Sequence, residues 1–222
     1  MLSLPVGWCA PNFEGLYPNL VFDRYRAFKH VPYDQLPPIS GEGDSFDWLP
    51  PLPRGCTSVP LVHDCEEDPA ALAAQVSRVV TQARALGLEV PSSFSAFTST
   101  PRFAARIASA LGGYFEVGDL EPVPGTAAGP ARLVRFFVEP QTYTWALLLE
   151  PGGSRVVFGF PDPESLDRLS GVTVCAPSFD AFLKRFWIEN ALAYALGEGE
   201  PPPHGELASY LAATAAVHRS PE

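Results

Sequence analysis

The residues best suited to metal binding are Cys56, His63 and Cys65, with acidic neighbours at Asp64 and Glu66. Thiolates and an imidazole are ligands that zinc accepts. The C-x₆-H-x-C spacing matches no common zinc finger, and the sequence specifies no fourth ligand. Two buried structural cysteines beside a loop histidine are the simpler interpretation. We therefore expect no bound metal and no cofactor, and a small metal-dependent hydrolase remains an alternative that depends on this region.

The familiar signatures of catalysis do not occur in the sequence. It contains no P-loop, no G-x-G-x-x-G after a strand, no H-E-x-x-H, no G-x-S-x-G and no C-x-x-C. With only four histidines, side chains that titrate near neutral pH are scarce. The sequence therefore predicts a protein without enzymatic activity.

Negative charge is concentrated between residues 34 and 68, where eight acids face one base, Arg54, giving a net charge of −7. The whole chain carries −10, from 15 Lys and Arg against 25 Asp and Glu. Binding to phosphate depends on Lys and Arg, so this balance argues against nucleic acid as a partner. One interpretation is a solvated loop whose Asp68 caps a helix. The functional one is a surface that steers a basic protein, for which we select the acidic residues Asp44, Asp47, Glu66 and Glu67.

A predicted helix over residues 178–196 presents two apolar faces. Phenylalanines form its main apolar stripe, while Ile188 and Leu192 point roughly the opposite way on a 3.6-residue period. Its charged residues are spaced for i,i+4 ion pairs on a polar flank, as at Arg185 and Glu189. One apolar face needs the sheet, and the other needs the N-terminal arm, the terminal helix or an external partner. Ile188 and Leu192 are therefore candidate partner-binding residues.

Composition divides the 222 residues into three parts. Residues 1–66 hold ten of the 25 prolines and nine aromatic residues, which predicts an extended arm packed along a core. Residues 67–197 carry the regular structure, and residues 198–222 form a linker and a short helix. The absence of a long apolar run or basic leader leads us to expect a cytoplasmic protein that does not bind membranes.

The middle part alternates between helical and strand patterns. Apolar residues recur at helical spacing after Asp68-Pro69, and Gly87 supplies the stop. Short Pro and Gly turns separate the strand-like runs, which predicts antiparallel neighbours. The predicted helices cover 68–86, 92–97, 101–111, 178–196 and 206–217, and the strands cover 133–138, 143–150 and 155–160, with weaker candidates at 114–117 and 172–175. The predicted fold class is α+β, a mainly antiparallel sheet packed with helices and overlaid by the proline- and aromatic-rich arm.

Three segments in this order resemble the SUKH superfamily. They are an amphipathic helix leading into LEVPSSFSAF at residues 88–97, strands that include RFFV at 135–138 and YTWALLL at 143–149, and a closing helix that begins SFDAFL at 178–183. The resemblance covers roughly residues 69–196. The asparagine-glycine usual after the short helix is missing, and the extra helix predicted at 101–111 departs from the family's pattern.

The resemblance implies an α+β domain without catalytic residues that binds proteins, in many bacterial members to neutralise a toxin. We therefore predict a cytoplasmic protein-binding domain of the immunity type, whose partner is a protein such as a basic toxin domain. The non-enzymatic alternative is a scaffold or regulatory subunit of a larger assembly.

Overall fold

The computed structural model describes residues 3–11, 28–32, 36, 37, 39, 46, 49, 69–100, 103, 106, 107, 109, 113–123, 129–139, 143–159, 172–197 and 205–217. The strands are β1 (Trp8–Pro11), β2 (Phe28–Val31), β3 (Tyr114–Phe115), β4 (Leu120–Pro122), β5 (Arg132–Glu139), β6 (Tyr143–Glu150), β7 (Gly153–Gly159) and β8 (Thr173–Ala176). The helices are α1 (Pro69–Ala85), α2 (Ser92–Thr98), α3 (Phe179–Gly197) and α4 (Gly205–Val217). None of these helices is long and apolar enough to cross a membrane.

The main sheet has six strands in the order β3-β5-β6-β7-β8, with β4 pairing β5 beside β3. Every strand pairing in it is antiparallel. The turns between β5, β6 and β7 are too short for a parallel crossover, which accounts for this arrangement. A separate two-stranded antiparallel sheet joins β1 to β2. The α+β fold class predicted from the sequence is confirmed.

The helix boundaries follow the local signals in the sequence. In α1, Val76, Val79 and Ala83 are buried at helical spacing, and Gly87 follows the helix with φ of +70°. Only glycine adopts that conformation without cost, so the helix ends there. At the start of α3, the Ser178 hydroxyl oxygen accepts a hydrogen bond from the Ala181 amide at 3.1 Å, which makes Ser178 the N-cap.

Phenylalanine side chains from α2, α3 and the sheet form the centre of the main core. Phe94 on α2 meets Phe179 on α3 with ring centroids 5.1 Å apart, and Phe136 on β5 lies 5.3 Å from Phe182. The rings of both pairs are nearly perpendicular, which is the edge-to-face geometry that aromatic pairs favour. The two helices are thereby held against one face of the sheet.

A β-bulge in β5 gives this core an additional phenylalanine. Arg135 pairs with Ala146 and Phe137 pairs with Trp145, so Phe136 is the extra residue between two ladder positions. A regular strand would point Phe136 and Phe137 to opposite faces. Here both are fully buried in the same core cluster.

The opposite face of the sheet carries a smaller apolar cluster. It draws Leu133 from β5, Leu148 from β6, Val157 from β7 and Val174 from β8, and Leu4 packs against it. Strands β5 to β8 therefore bury apolar side chains on both faces, and the β6 sequence YTWALLLE is a nearly continuous apolar run.

The described residues of the N-terminal arm are tied to this domain. Val6 forms a parallel bridge with Val174 of β8, where the Gly7 amide donates to the Val174 carbonyl at 3.0 Å and the Val174 amide donates to the Pro5 carbonyl at 2.8 Å. Further along the arm, Phe46 and Leu49 are fully buried in the main core cluster. Most of the helix predicted at 101–111 lies outside the described residues.

Candidate functional site

A buried polar network lies where α3 and α4 meet the arm. At its centre is Glu189 of α3, whose side chain is fully buried. Its Oε2 accepts a hydrogen bond from Trp8 Nε1 at 2.6 Å, and its Oε1 accepts one from the Tyr210 hydroxyl at 2.7 Å. One carboxylate thus connects the start of the chain to its last helix. Both bonds involve a charged acceptor, so they are stronger than neutral hydrogen bonds.

Arg185 lies one helical turn before Glu189 and belongs to the same network. Its Nη1 donates to the Tyr210 hydroxyl at 2.5 Å and its Nη2 donates to the Pro37 carbonyl at 2.9 Å. The guanidinium carbon lies 5.8 Å from the centroid of the Trp8 ring and 5.5 Å from that of Tyr210. The cation is therefore held between two aromatic rings. Tyr210 links it to Glu189, which supplies the compensating negative charge.

Lys184 continues the charged stripe of α3 towards α4. Its Nζ lies 2.9 Å from Glu206 Oε1, and the Lys184 side chain is almost completely buried. On the other side of the helix start, Asp180 Oδ2 accepts a hydrogen bond from Ser93 Oγ of α2 at 2.7 Å. The sequence predicts an i,i+4 pair of Arg185 with Glu189 on the polar flank of this helix. In the structure Lys184, Arg185 and Glu189 are buried, and the Tyr210 hydroxyl bridges Arg185 to Glu189.

A second β-bulge places a thiol beside this network. Val156 pairs with Ala176 and Val157 pairs with Val174, so Cys175 is the extra residue of β8. As a result Cys175 and Ala176 both face the main core instead of opposite sides of the sheet.

A cavity of about 100 Å³ lies against this bulge. Arg185 is the charged residue of its wall, and its other lining residues are mostly apolar: Trp8, Ile39, Cys175, Ala176, Pro177 and Ala181. A cation beside an aromatic ring and small apolar side chains can bind a small ligand that combines a negative group with an apolar part.

The two thiols of this region, Cys9 and Cys175, are free and buried. Burial raises the pKa of Cys175 well above the usual thiol range. Burial also raises the pKa of Cys9, and the neighbouring Cys175 thiol and Glu189 carboxylate raise it further. Both side chains are therefore neutral thiols at physiological pH, which disfavours a nucleophilic role.

Among the residues selected from the sequence, Ile188 and Leu192 lie inside the main core cluster. They are 1% and 0% exposed, in the same cluster as Leu207 and Tyr210 of α4. The sequence left the N-terminal arm, the terminal helix or an external partner to pack against this face of α3. In the structure, segments of the chain itself pack there. Buried in this way, the two side chains are not accessible to a partner.

The acidic residues Asp44, Asp47, Glu66 and Glu67 lie outside the described residues, as do Cys56, His63 and Cys65. Their roles in partner binding and metal binding stay predictions. In the part of the chain that is described, no three His, Cys, Asp or Glu side chains come together as metal ligands.

The buried network was missed because its members come from four distant segments. Trp8, Pro37, Glu189 and Tyr210 share no sequence spacing, and Arg185 with Glu189 fits an ordinary surface ion pair. The available signal was the run of apolar residues on both sides of these charges, which is typical of a helix buried all round.

Comparison with known proteins gives no match to a family model, a curated protein or a solved structure.

Proposed function

We propose that this chain is a non-enzymatic protein-binding domain of the immunity type. Its partner would be a basic protein, such as a toxin domain, attracted by the acidic segment at residues 34–68. The observation that carries the proposal is the uneven distribution of charge along the chain, with −7 of the total −10 in those 35 residues.

The contacts of the cations support this interpretation. Most Lys and Arg side chains in the described part already make hydrogen bonds or ion pairs within the chain: Arg78, Arg106, Arg132, Arg135, Arg155, Lys184 and Arg185. Arg106 and Arg185 donate to the Leu49 and Pro37 carbonyls within residues 34–68, whereas the other five bond to residues outside that segment. The resulting negative field would accelerate the encounter with a basic surface.

The resemblance of residues 69–196 to the SUKH superfamily supports the same class of function. The α+β architecture agrees with that resemblance, although many unrelated functions occur on one fold. The charge distribution therefore supports binding to a basic protein, and the resemblance supports the more specific immunity role.

The test begins with affinity capture on the full-length chain at low and high ionic strength, followed by kinetic measurements on each retained protein. The variant Asp44→Asn, Asp47→Asn, Glu66→Gln, Glu67→Gln removes four charges from the acidic segment. A matched control removes four charges elsewhere, by Glu89→Gln, Glu116→Gln, Asp119→Asn and Glu222→Gln. The two variants have the same net charge, so they separate local steering from total charge. Asp68 is left unchanged because its predicted capping role would confuse the result.

We expect the first variant to lower the association rate constant by about tenfold and the control to lower it much less. Added salt should slow the wild type strongly, since exposed charges are screened beyond about 8 Å at 0.15 M. An association rate that is insensitive to both salt and the first variant would refute the proposal. If the full-length chain retained polylysine as strongly as it retains the captured protein, the acidic segment would be acting only as a non-specific polyanion.

A further inference from the structure

The cavity beside the β8 bulge has a composition that the protein-binding function does not require. It joins a buried arginine to an indole face and to small apolar residues from β8 and α3. The Cys175 thiol in its wall is neutral because burial disfavours the thiolate. Among the described residues that line the cavity, Arg185 is therefore the charged one.

Arg185 retains hydrogen-bonding capacity in this position. A guanidinium carries five N–H groups, and the bonds to Tyr210 and Pro37 use two of them. Both of those acceptors are neutral. The carboxylate of the network, Glu189, is linked to Arg185 through the Tyr210 hydroxyl. Its two oxygens accept hydrogen bonds from Trp8 and Tyr210. A small anion in the cavity could therefore receive a direct charge-assisted hydrogen bond from Arg185.

We propose that this cavity, called here the Arg185 cavity, binds a short aliphatic carboxylate. The carboxylate would accept hydrogen bonds from Arg185, and its alkyl part would lie against Trp8, Ala176 and Ala181. A cavity of about 150 Å³ holds benzene, so about 100 Å³ is room enough for a molecule of the size of acetate or propionate. This proposal is independent of the proposed protein-binding function.

The experiment uses propionate as the probe and the uncharged propionamide as its isostere. Binding is followed by NMR through the indole N–H resonance of Trp8, which is assigned by its absence in Trp8→Phe. We expect a saturable shift with propionate and at least about tenfold weaker binding of propionamide, because the amide lacks the charge that Arg185 recognises. Equal binding of propionate and propionamide, or no shift with propionate, would overturn the proposal.

Two variants localise the site. Ala181→Leu fills the cavity and should abolish binding, while Ala208→Leu on the exposed face of α4 is the matched control and should leave it unchanged. Arg185→Lys keeps the charge but loses the planar fork, and should weaken binding at least about fivefold. Thermal melting of each variant shows whether it is folded. Undiminished propionate binding by folded Ala181→Leu would place the ligand elsewhere and refute the assignment. If a variant unfolds, the comparison of propionate with propionamide on the wild type still tests the proposal.

Discussion

Removing the indole N–H of Trp8 should reveal how strongly the arm is anchored to α3. Trp8→Phe keeps an aromatic ring beside Phe182, whose centroid lies 5.8 Å from that of Trp8, but deletes the donor to Glu189 Oε2. A hydrogen bond to a charged group contributes about 1.5–3 kcal/mol. The smaller ring costs about 1 kcal/mol more, comparable to the loss of one or two buried methylene groups. The free energy of unfolding should therefore fall by about 2.5–4 kcal/mol.

A double-mutant cycle with Glu189→Leu separates these two contributions. In the Glu189→Leu background no carboxylate remains to accept the bond, so Trp8→Phe should cost only the packing part, about 1 kcal/mol. The assay is urea unfolding followed by far-UV circular dichroism, which does not depend on the deleted tryptophan. With a slope of about 2 kcal/mol per molar urea, the middle of the usual range, the midpoint of the wild type should shift by roughly 1–2 M on Trp8→Phe.

The result that refutes this reasoning is an equal loss in both backgrounds, which would show that the bond to Glu189 adds nothing to stability. No loss in either background would go further and show that Trp8 does not anchor the arm at all.

Four further predictions concern titration, thiol reactivity and backbone conformation. Burial raises the pKa of Cys9 and Cys175 above their unfolded values. Their contribution to stability is therefore complete below about pH 8.5 and is lost as the pH rises further. Unfolding curves should show lower stability at pH 10 than at pH 7, and Cys175→Ala should make this difference smaller. Native Cys9 and Cys175 should also resist iodoacetamide at pH 8 and react once urea unfolds the chain. Burial raises the pKa of Glu139, so the contribution of this one carboxyl to stability is complete below its unfolded value, about 4.3, and is lost as the pH rises. The stability of Glu139→Gln relative to the wild type should therefore be greater at pH 7 than at pH 3.5, and the reverse order would contradict this. At Gly87, with φ of +70°, an added Cβ atom meets nothing within 4 Å, so Gly87→Ala should cost about 1–2 kcal/mol from backbone strain alone and Gly87→Asn less, as measured by thermal melting.

Much of the architecture follows from local sequence signals. The spacing of Val76, Val79 and Ala83 defines α1, and Pro151-Gly152-Gly153 defines the turn from β6 to β7. These features depend on residues close together in the chain, so the helical period and the turn residues can be recognised from the sequence alone.

The bulges and the buried charges could not be predicted in the same way. The run Arg135-Phe136-Phe137 is read as plain alternation unless the register with β6 is known, and Cys175 has the same ambiguity against β7. Arg185 and Glu189 have the spacing of a surface ion pair, and only the arrival of Trp8 and Tyr210 makes them an internal network. Such features depend on tertiary contacts, which no local pattern records.

The bond between Trp8 and Glu189 joins residues 181 positions apart, and this separation has a consequence for synthesis. At about 5–20 residues per second, a ribosome needs roughly 10–40 s to add Glu189 after Trp8. During that interval the nascent arm exposes an indole whose acceptor does not yet exist, and Tyr210 emerges later still. β1 can pair with β2 early, but the arm cannot acquire its contacts with α3 and α4 before most of the chain has been made. Folding must close a very long loop late, which slows it and gives the unfinished chain time to meet chaperones.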